Sequence, residues 1–233
     1  KQISLGNNHA CAVDGDGNAR CWGRNSFGKL GIQSSSGSDN IIGDVPSEFP
    51  PRAVELPDKV LPIAAGPSAT CAVLEGGAVR CWGGNGAGQL GIGSKEPVGD
   101  GMGSWPPSAV NLGGPAVEVD FGTAHVCARL ETGRVRCWGF NGMGQLGRPE
   151  PADFYGDDST ELTPFGPAGP DVSAIAVGGL TSCSITTDLK VRCWGANDSG
   201  QLGGGNSMPN SNTQEVLLDS SATALGVGDV HLC

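Results

Sequence analysis

Eight of the nine cysteines fall into four pairs of one spacing, Cys11 with Cys21, Cys71 with Cys81, Cys127 with Cys137 and Cys183 with Cys193. Cysteines at fixed spacing serve as disulfides, as metal ligands or as nucleophiles. Structural zinc sites bring cysteines two to four residues apart and gather four ligands, and nothing in this sequence has that spacing. Directly opposed residues on antiparallel strands lie about 4.5 to 5.5 Å apart, a distance that a disulfide accepts. A spacer of nine residues gives that opposition if the two strands meet in a three-residue turn. The last residue of such a turn is left-handed, which favours glycine. Gly17, Gly77 and Gly133 occupy the position, and Leu189 replaces them in the fourth copy at an expected cost of about 1 kcal/mol unless the turn changes type. The spacing therefore predicts four hairpins, each closed by a disulfide that stabilises by about 2 to 3 kcal/mol. Free structural thiols and a metal or catalytic role are the competing readings. Disulfides at this density imply an oxidising compartment: extracellular, cell surface or periplasmic.

The elements that hold the cysteines repeat as well. Trp-Gly follows each second cysteine, at Trp22, Trp82, Trp138 and Trp194, and an asparagine comes three residues after each tryptophan, at Asn25, Asn85, Asn141 and Asn197. Gly-x-Leu-Gly then closes the unit, as in Gly88-Gln89-Leu90-Gly91. The repeat cores span 3–31, 63–91, 119–147 and 175–203, with a period of about 56 to 60 residues. That period suits a four-stranded propeller blade rather than a helical repeat. Short apolar runs at 60–66, 116–122 and 172–178 read as inner strands. Residues 225–233 repeat the opening of the unit, so Cys233 reads as the first cysteine of a fifth copy. The expectation is one repeat domain, 1–233, that is a fragment of a longer propeller.

Composition agrees with an all-β fold. The 233 residues include 40 Gly and 16 Pro, with 16% charged and 5% aromatic residues, which argues for many turns between short strands. A net charge of −10 argues against nucleic acid and anionic membranes as partners. No run approaches the roughly 18 apolar residues of a membrane-spanning helix, so no membrane insertion is expected.

The pattern His-x-Cys-Ala, a Gly turn, then Val-x-Cys-Trp-Gly-x-Asn-x-x-Gly-Gln-Leu-Gly resembles the regulator of chromosome condensation repeat over essentially the whole chain. The resemblance implies a β-propeller, part of a seven-bladed ring with about one repeat per blade. The cysteine pairs depart from the nuclear exchange factor of that family and are similar to its secreted bacterial members. It further implies that His9, His125 and His231 lie towards one propeller face, where some histidines of the nuclear member take part in nucleotide exchange. A packing role is the competing reading for these three.

Other candidates divide by whether they recur. Asp14-Gly15-Asp16-Gly17-Asn18 resembles the start of a calcium loop without its downstream glutamate. Asp157-Asp158 is a second, weaker calcium candidate, and in both places a plain loop is preferred. No Ser-His-Asp elbow and no phosphate loop is present, so no catalytic residue, no cofactor and no resident metal is assigned. The recurring tryptophans and asparagines read as core and turn. Arg20, Arg80, Arg136 and Arg192 recur before the second cysteines, and Asp44, Asp100 and Asp157 are expected to meet them or loop amides. Phe49, Trp105 and Leu162 recur before prolines and are expected to pack under their loops. What varies is the connections: 34–40, 94–97, 149–155 and 207–210. Variable loops on a rigid ring are where such scaffolds acquire partners, and Phe154 and Tyr155, with Asp157 and Asp158 beside them, are the candidate exposed anchor. The sequence thus predicts a non-enzymatic module that binds a protein partner or joins a larger surface assembly. A secreted enzyme inhibitor and, by family analogy, a guanine nucleotide exchange factor are the alternatives.

Overall fold

In each repeat the two cysteines face each other across a hairpin, and this opposition sets the register of the whole sheet. The computed structural model describes residues 2–32, 41–99, 105–148, 153–158, 171–231 and 233. The first sheet runs β1 (Gln2–Leu5), β2 (His9–Val13), β3 (Ala19–Arg24) and β4 (Ile41–Ile42) in sequence order. The second holds β5 (Val60–Ala65), β6 (Ala69–Leu74) and β7 (Val79–Gly83). The third holds β8 (Ala116–Phe121), β9 (His125–Leu130), β10 (Val135–Phe140) and β11 (Phe154–Tyr155). The fourth holds β12 (Val172–Gly178), β13 (Thr181–Thr186), β14 (Val191–Gly195) and β15 (Asn210–Glu215). All neighbouring strands are antiparallel, as the all-β propeller reading requires. No α-helix is present among the described residues; two short 3₁₀ turns, Ser26–Gly28 and Pro46–Glu48, are the helical pieces.

The turn chemistry follows the sequence. Cys11 lies opposite Cys21, Cys71 opposite Cys81, Cys127 opposite Cys137 and Cys183 opposite Cys193. Gly17, Gly77 and Gly133 close their loops at φ 85°, 82° and 76°, and Leu189 takes the same left-handed conformation at φ 63°. The fourth hairpin therefore keeps the turn type and bears the strain rather than changing its loop. The carbonyl at this position has a second use: Val60, Ala116, Val172 and Ala222 each donate their amide to the carbonyl of the left-handed residue in the hairpin before.

The outermost strand lies inside what the sequence reads as connection. Ile42 pairs with Gly23, Val98 exchanges two hydrogen bonds with Gly83, Tyr155 pairs with Gly139 and Asn210 with Gly195. The residue before each recurring Gly-Asp thus pairs at the sheet edge, in a two-residue strand at Ile42 and Tyr155 and as a single bridge at Val98, runs too short to carry an alternating pattern. Sheets stack face to face with tryptophan between them. Trp82, Trp138 and Trp194 are fully buried, and Leu30, Leu90, Leu146 and Leu202 fill the opposing side.

Candidate functional site

The blades are joined by a hydrogen-bonded latch built from recurring residues. Trp82 Nε1 donates to the Lys29 carbonyl at 3.0 Å, Trp138 to Gln89 at 2.9 Å and Trp194 to Gln145 at 2.9 Å. The acceptor is always the x residue of the preceding Gly-x-Leu-Gly. Each turn is held from inside by its asparagine, whose Oδ1 accepts the amide of Leu30, Leu90, Leu146 or Leu202. Tryptophan and asparagine are therefore structural, as expected, but the indole N–H specifies the neighbouring blade.

Histidine belongs to the same system. His9 Nε2 meets Thr70 Oγ1 at 2.9 Å and His125 Nε2 meets Ser182 Oγ at 2.9 Å, in each case in the following blade. The hydroxyls donate onward to the carbonyls of Lys29 and Gln145. In the intervening interface Ala69 and Val126 occupy these positions, both fully buried. A histidine is thus matched by a hydroxyl and an alanine by a valine, which explains the alternate-blade pattern as packing between blades. Burial holds His125 at about 3, and burial and then the charge of Lys29 hold His9 at about 4, so both rings are neutral. The inner strands alternate in the same way. Gln2 and Ser4 accept the edge amides of Ile63 and Ala65, and Glu118 and Asp120 accept those of Ile175 and Val177.

These inner strands, with residues 225–229, line a cavity of about 660 Å³ that faces Glu118 and Asp120. Burial raises the Asp120 carboxyl to about 6, against the lowering effect of the Val177 and Phe121 amides, with Glu118 adding to the rise. Among the described residues no three His, Cys, Asp or Glu side chains converge as metal ligands. The Asp14 loop satisfies itself: Asp14 Oδ1 accepts the amides of Asp16 and Asn18, and Oδ2 accepts Arg20 Nε at 3.2 Å. These bonds, the Asn18 amide foremost, hold its carboxyl at about 2. The loop is a turn whose carboxylate oxygens face protein donors.

Two expectations need correction. Arg20 bonds to Asp14 within its own hairpin and to the Pro51 carbonyl at 2.6 Å, while Asp44 is exposed. Arg80 likewise donates to the Pro107 carbonyl. Arg20 and Arg80 thus clamp the proline turns, which the bridges Arg20–Ala53 and Arg80–Ala109 bring alongside, whereas Arg136 donates to the Val135 carbonyl. Asp100 and Leu162 lie outside the described residues. Trp105 packs as expected, edge-on to Trp82 at 6.0 Å, whereas Phe49 is 52% exposed.

The aromatic pair is not the exposed anchor that was expected. Tyr155 is buried, with the Arg148 guanidinium 4.0 Å over its ring, because β11 is a sheet strand and not a loop. Phe154 is half-buried against Phe140, with ring centroids 5.6 Å apart. What the sequence could not show is its partner from another connection. Lys95 Nζ lies 4.3 Å from the centroid of Phe154 and 2.8 Å from Asp157 Oδ2. Two of the four variable connections, through Lys95 of 94–97 and Phe154 of 149–155, thereby meet in one surface, with Asp157 just beyond the second. Asp158 is exposed beside it. Of the other variable stretches, residues 34–40 and 149–152 lie outside the described residues.

The cysteine pairs are disulfides whose Cα atoms lie 4.1 Å apart, all buried within the sheets, and Cys233 is exposed and free. Four disulfides fit a non-reducing environment. No helix among the described residues is long and apolar enough to cross a membrane.

Four stacked antiparallel sheets, each carrying one Trp-Gly hairpin, define a repeat propeller. The regulator of chromosome condensation (RCC1) repeat is matched at residues 1–29, 63–89, 116–145 and 172–201, and a second form of it at 16–73. The chain belongs to the RCC1 repeat family. It is 29% identical over 219 residues to the ultraviolet-B receptor UVR8 of Arabidopsis thaliana, which covers 93% of this chain and 46% of the receptor. Human WBSCR16 superposes with a TM-score of 0.77 at 18% identity, over 97% of this chain and 56% of that one. Prp20p of Saccharomyces cerevisiae, described with its binding to Gsp1p and histones, gives 0.71 at 23% identity, over 97% of this chain and 52% of that one. The chain thus spans about half the length of these proteins.

Proposed function

We propose that this chain is a non-enzymatic protein-binding module, working extracellularly, at the cell surface or in the periplasm, and part of a longer propeller. Its partner docks on the variable connections of the second and third blades. The observation that carries this reading is Lys95, which reaches from one connection to Phe154 and Asp157 of the next. Such a bridge ties the 94–97 loop to the edge strand of the third sheet as one surface, and lowering the entropy lost on binding is what makes a loop surface effective. The disulfides support the compartment, and Prp20p, of the same fold, is a protein binder. An inhibitor of a secreted enzyme is the same reading with an enzyme as partner, and would form a stoichiometric complex with it.

The test is covalent capture on the native extracellular fraction of the source, comparing wild type with Lys95→Glu and Phe154→Ala and with an exposed control, Lys59→Glu. A partner captured by wild type and control but by neither variant supports the surface. Capture that persists unchanged in both variants overturns it.

A further inference from the structure

Repetition supplies internal controls for every position, and the first blade departs from its copies within one short strap. Where the other blades carry Gly84, Phe140 and Ala196, it has Arg24; where they carry Ala87, Met143 and Ser199, it has Phe27; and where all three carry glutamine, at Gln89, Gln145 and Gln201, it has Lys29.

The strap exposes Arg24 and Phe27 and buries Lys29. Phe27 is 54% exposed and adopts φ 62°, ψ 15°, one of two left-handed non-glycine residues among those described. That conformation is strained for a side chain with a Cβ, and strain of this kind collects at binding sites. Its ring covers Gly84 of the second blade, where an added methyl would lie 3.4 Å from Phe27 Cδ2. Lys29 is 3% exposed and gives Nζ to the Pro67 carbonyl at 3.2 Å. Among the described residues neither Lys29 nor exposed Arg24 has a carboxylate partner, although the chain carries a net charge of −10. Burial and then Arg24 hold the Lys29 amine below its usual range, and Lys29 in turn depresses His9.

We propose that this strap binds an acidic segment of a protein partner, with a carboxylate on Lys29 and Arg24 and a neighbouring apolar side chain on Phe27. A carboxylate there would replace cation–cation repulsion by a charge-assisted bond to a buried donor. Arginine and aromatic residues at a desolvated centre are the composition of binding hot spots. The proposal uses none of Lys95, Phe154 and Asp157 and does not rest on that surface.

The probe is a short fluorescein-labelled peptide alternating glutamate and leucine, compared with its glutamine-for-glutamate twin by fluorescence anisotropy on the full chain. Lys29→Gln installs the residue of the other three blades and so preserves the turn. We expect saturable binding of the glutamate peptide, weakened by salt, with a loss of about tenfold or more in Lys29→Gln and a further loss in Phe27→Ala. Equal binding of the two peptides, or undiminished binding by Lys29→Gln, overturns the proposal. Displacement of the peptide by inorganic phosphate, at an ionic strength where chloride does not displace it, would assign an oxyanion site and overturn the peptide reading.

Discussion

Trp138 donates its indole N–H to the backbone carbonyl of Gln89, 2.9 Å away in the preceding blade. Both groups are buried, so removing the donor strands an acceptor, which costs about 1 to 3 kcal/mol. In the neighbouring interface the Lys29 carbonyl accepts from Trp82 and also from Thr70 Oγ1. Trp138→Phe should therefore destabilise more than Trp82→Phe. Guanidinium midpoints of the two variants check this, and equal midpoints would show that the indole N–H is not what matters.

Disulfide closure of a short loop stabilises by about 3 kcal/mol in the chain-entropy model. The double change Cys71→Ala with Cys81→Ala should lower stability by about that amount. Alkylation of the unreduced 233-residue chain should modify Cys233 alone, measured as one adduct by intact mass. Nine adducts without reductant would remove both the pairing and the compartment argument.

The left-handed hairpin position separates strain from collision. A methyl on Gly77 would lie 2.4 Å from Pro115 Cβ, whereas one on Gly76 meets nothing within 4 Å. Gly77→Ala should cost more than 2 kcal/mol and Gly76→Ala about 1 kcal/mol. Leu189→Gly should stabilise by up to about 1 kcal/mol, since relief of strain exceeds the added chain entropy. Thermal midpoints of the three variants order the effects.

Stability should fall on acidification. His9 and His125 are held at about 4 and about 3, below the ordinary 6.5, so in this window the unfolded chain takes up protons that the folded chain refuses. Their contribution is present above about pH 6.5 and is lost as the pH falls through 4 and 3. Asp120, raised from 3.8 to about 6, acts in the opposite sense, contributing most below 3.8 and losing its contribution as the pH rises to about 6. Two histidines against one carboxyl leave a net loss. His125→Asn should reduce the slope of stability against pH by up to about 1.4 kcal/mol per unit. Urea midpoints across the acid range measure it, and an unchanged slope would mean that this ring titrates alike in both states.

The hairpins, their cysteine pairs and their left-handed turns were legible because they are local: a spacer of nine residues, period-two side chains and a turn that requires positive φ leave one register. Strand, turn and recurring core follow from residues within about a dozen positions of each other. The surface was not legible in that way. His9 reaches Thr70 across 61 positions, His125 reaches Ser182 across 57 and Trp138 reaches Gln89 across 49. Recurrence shows that such positions matter without showing which neighbour each one touches. Tyr155 was misread as an anchor for a related reason: a two-residue edge strand has no pattern of its own, and only pairing with Gly139 buries it. The meeting of Lys95 with Phe154, and of Lys29 with Pro67, was likewise decided by how one blade stacks on the next. Local sequence fixes the shape of each blade, but what its side chains face is set by the packing between blades.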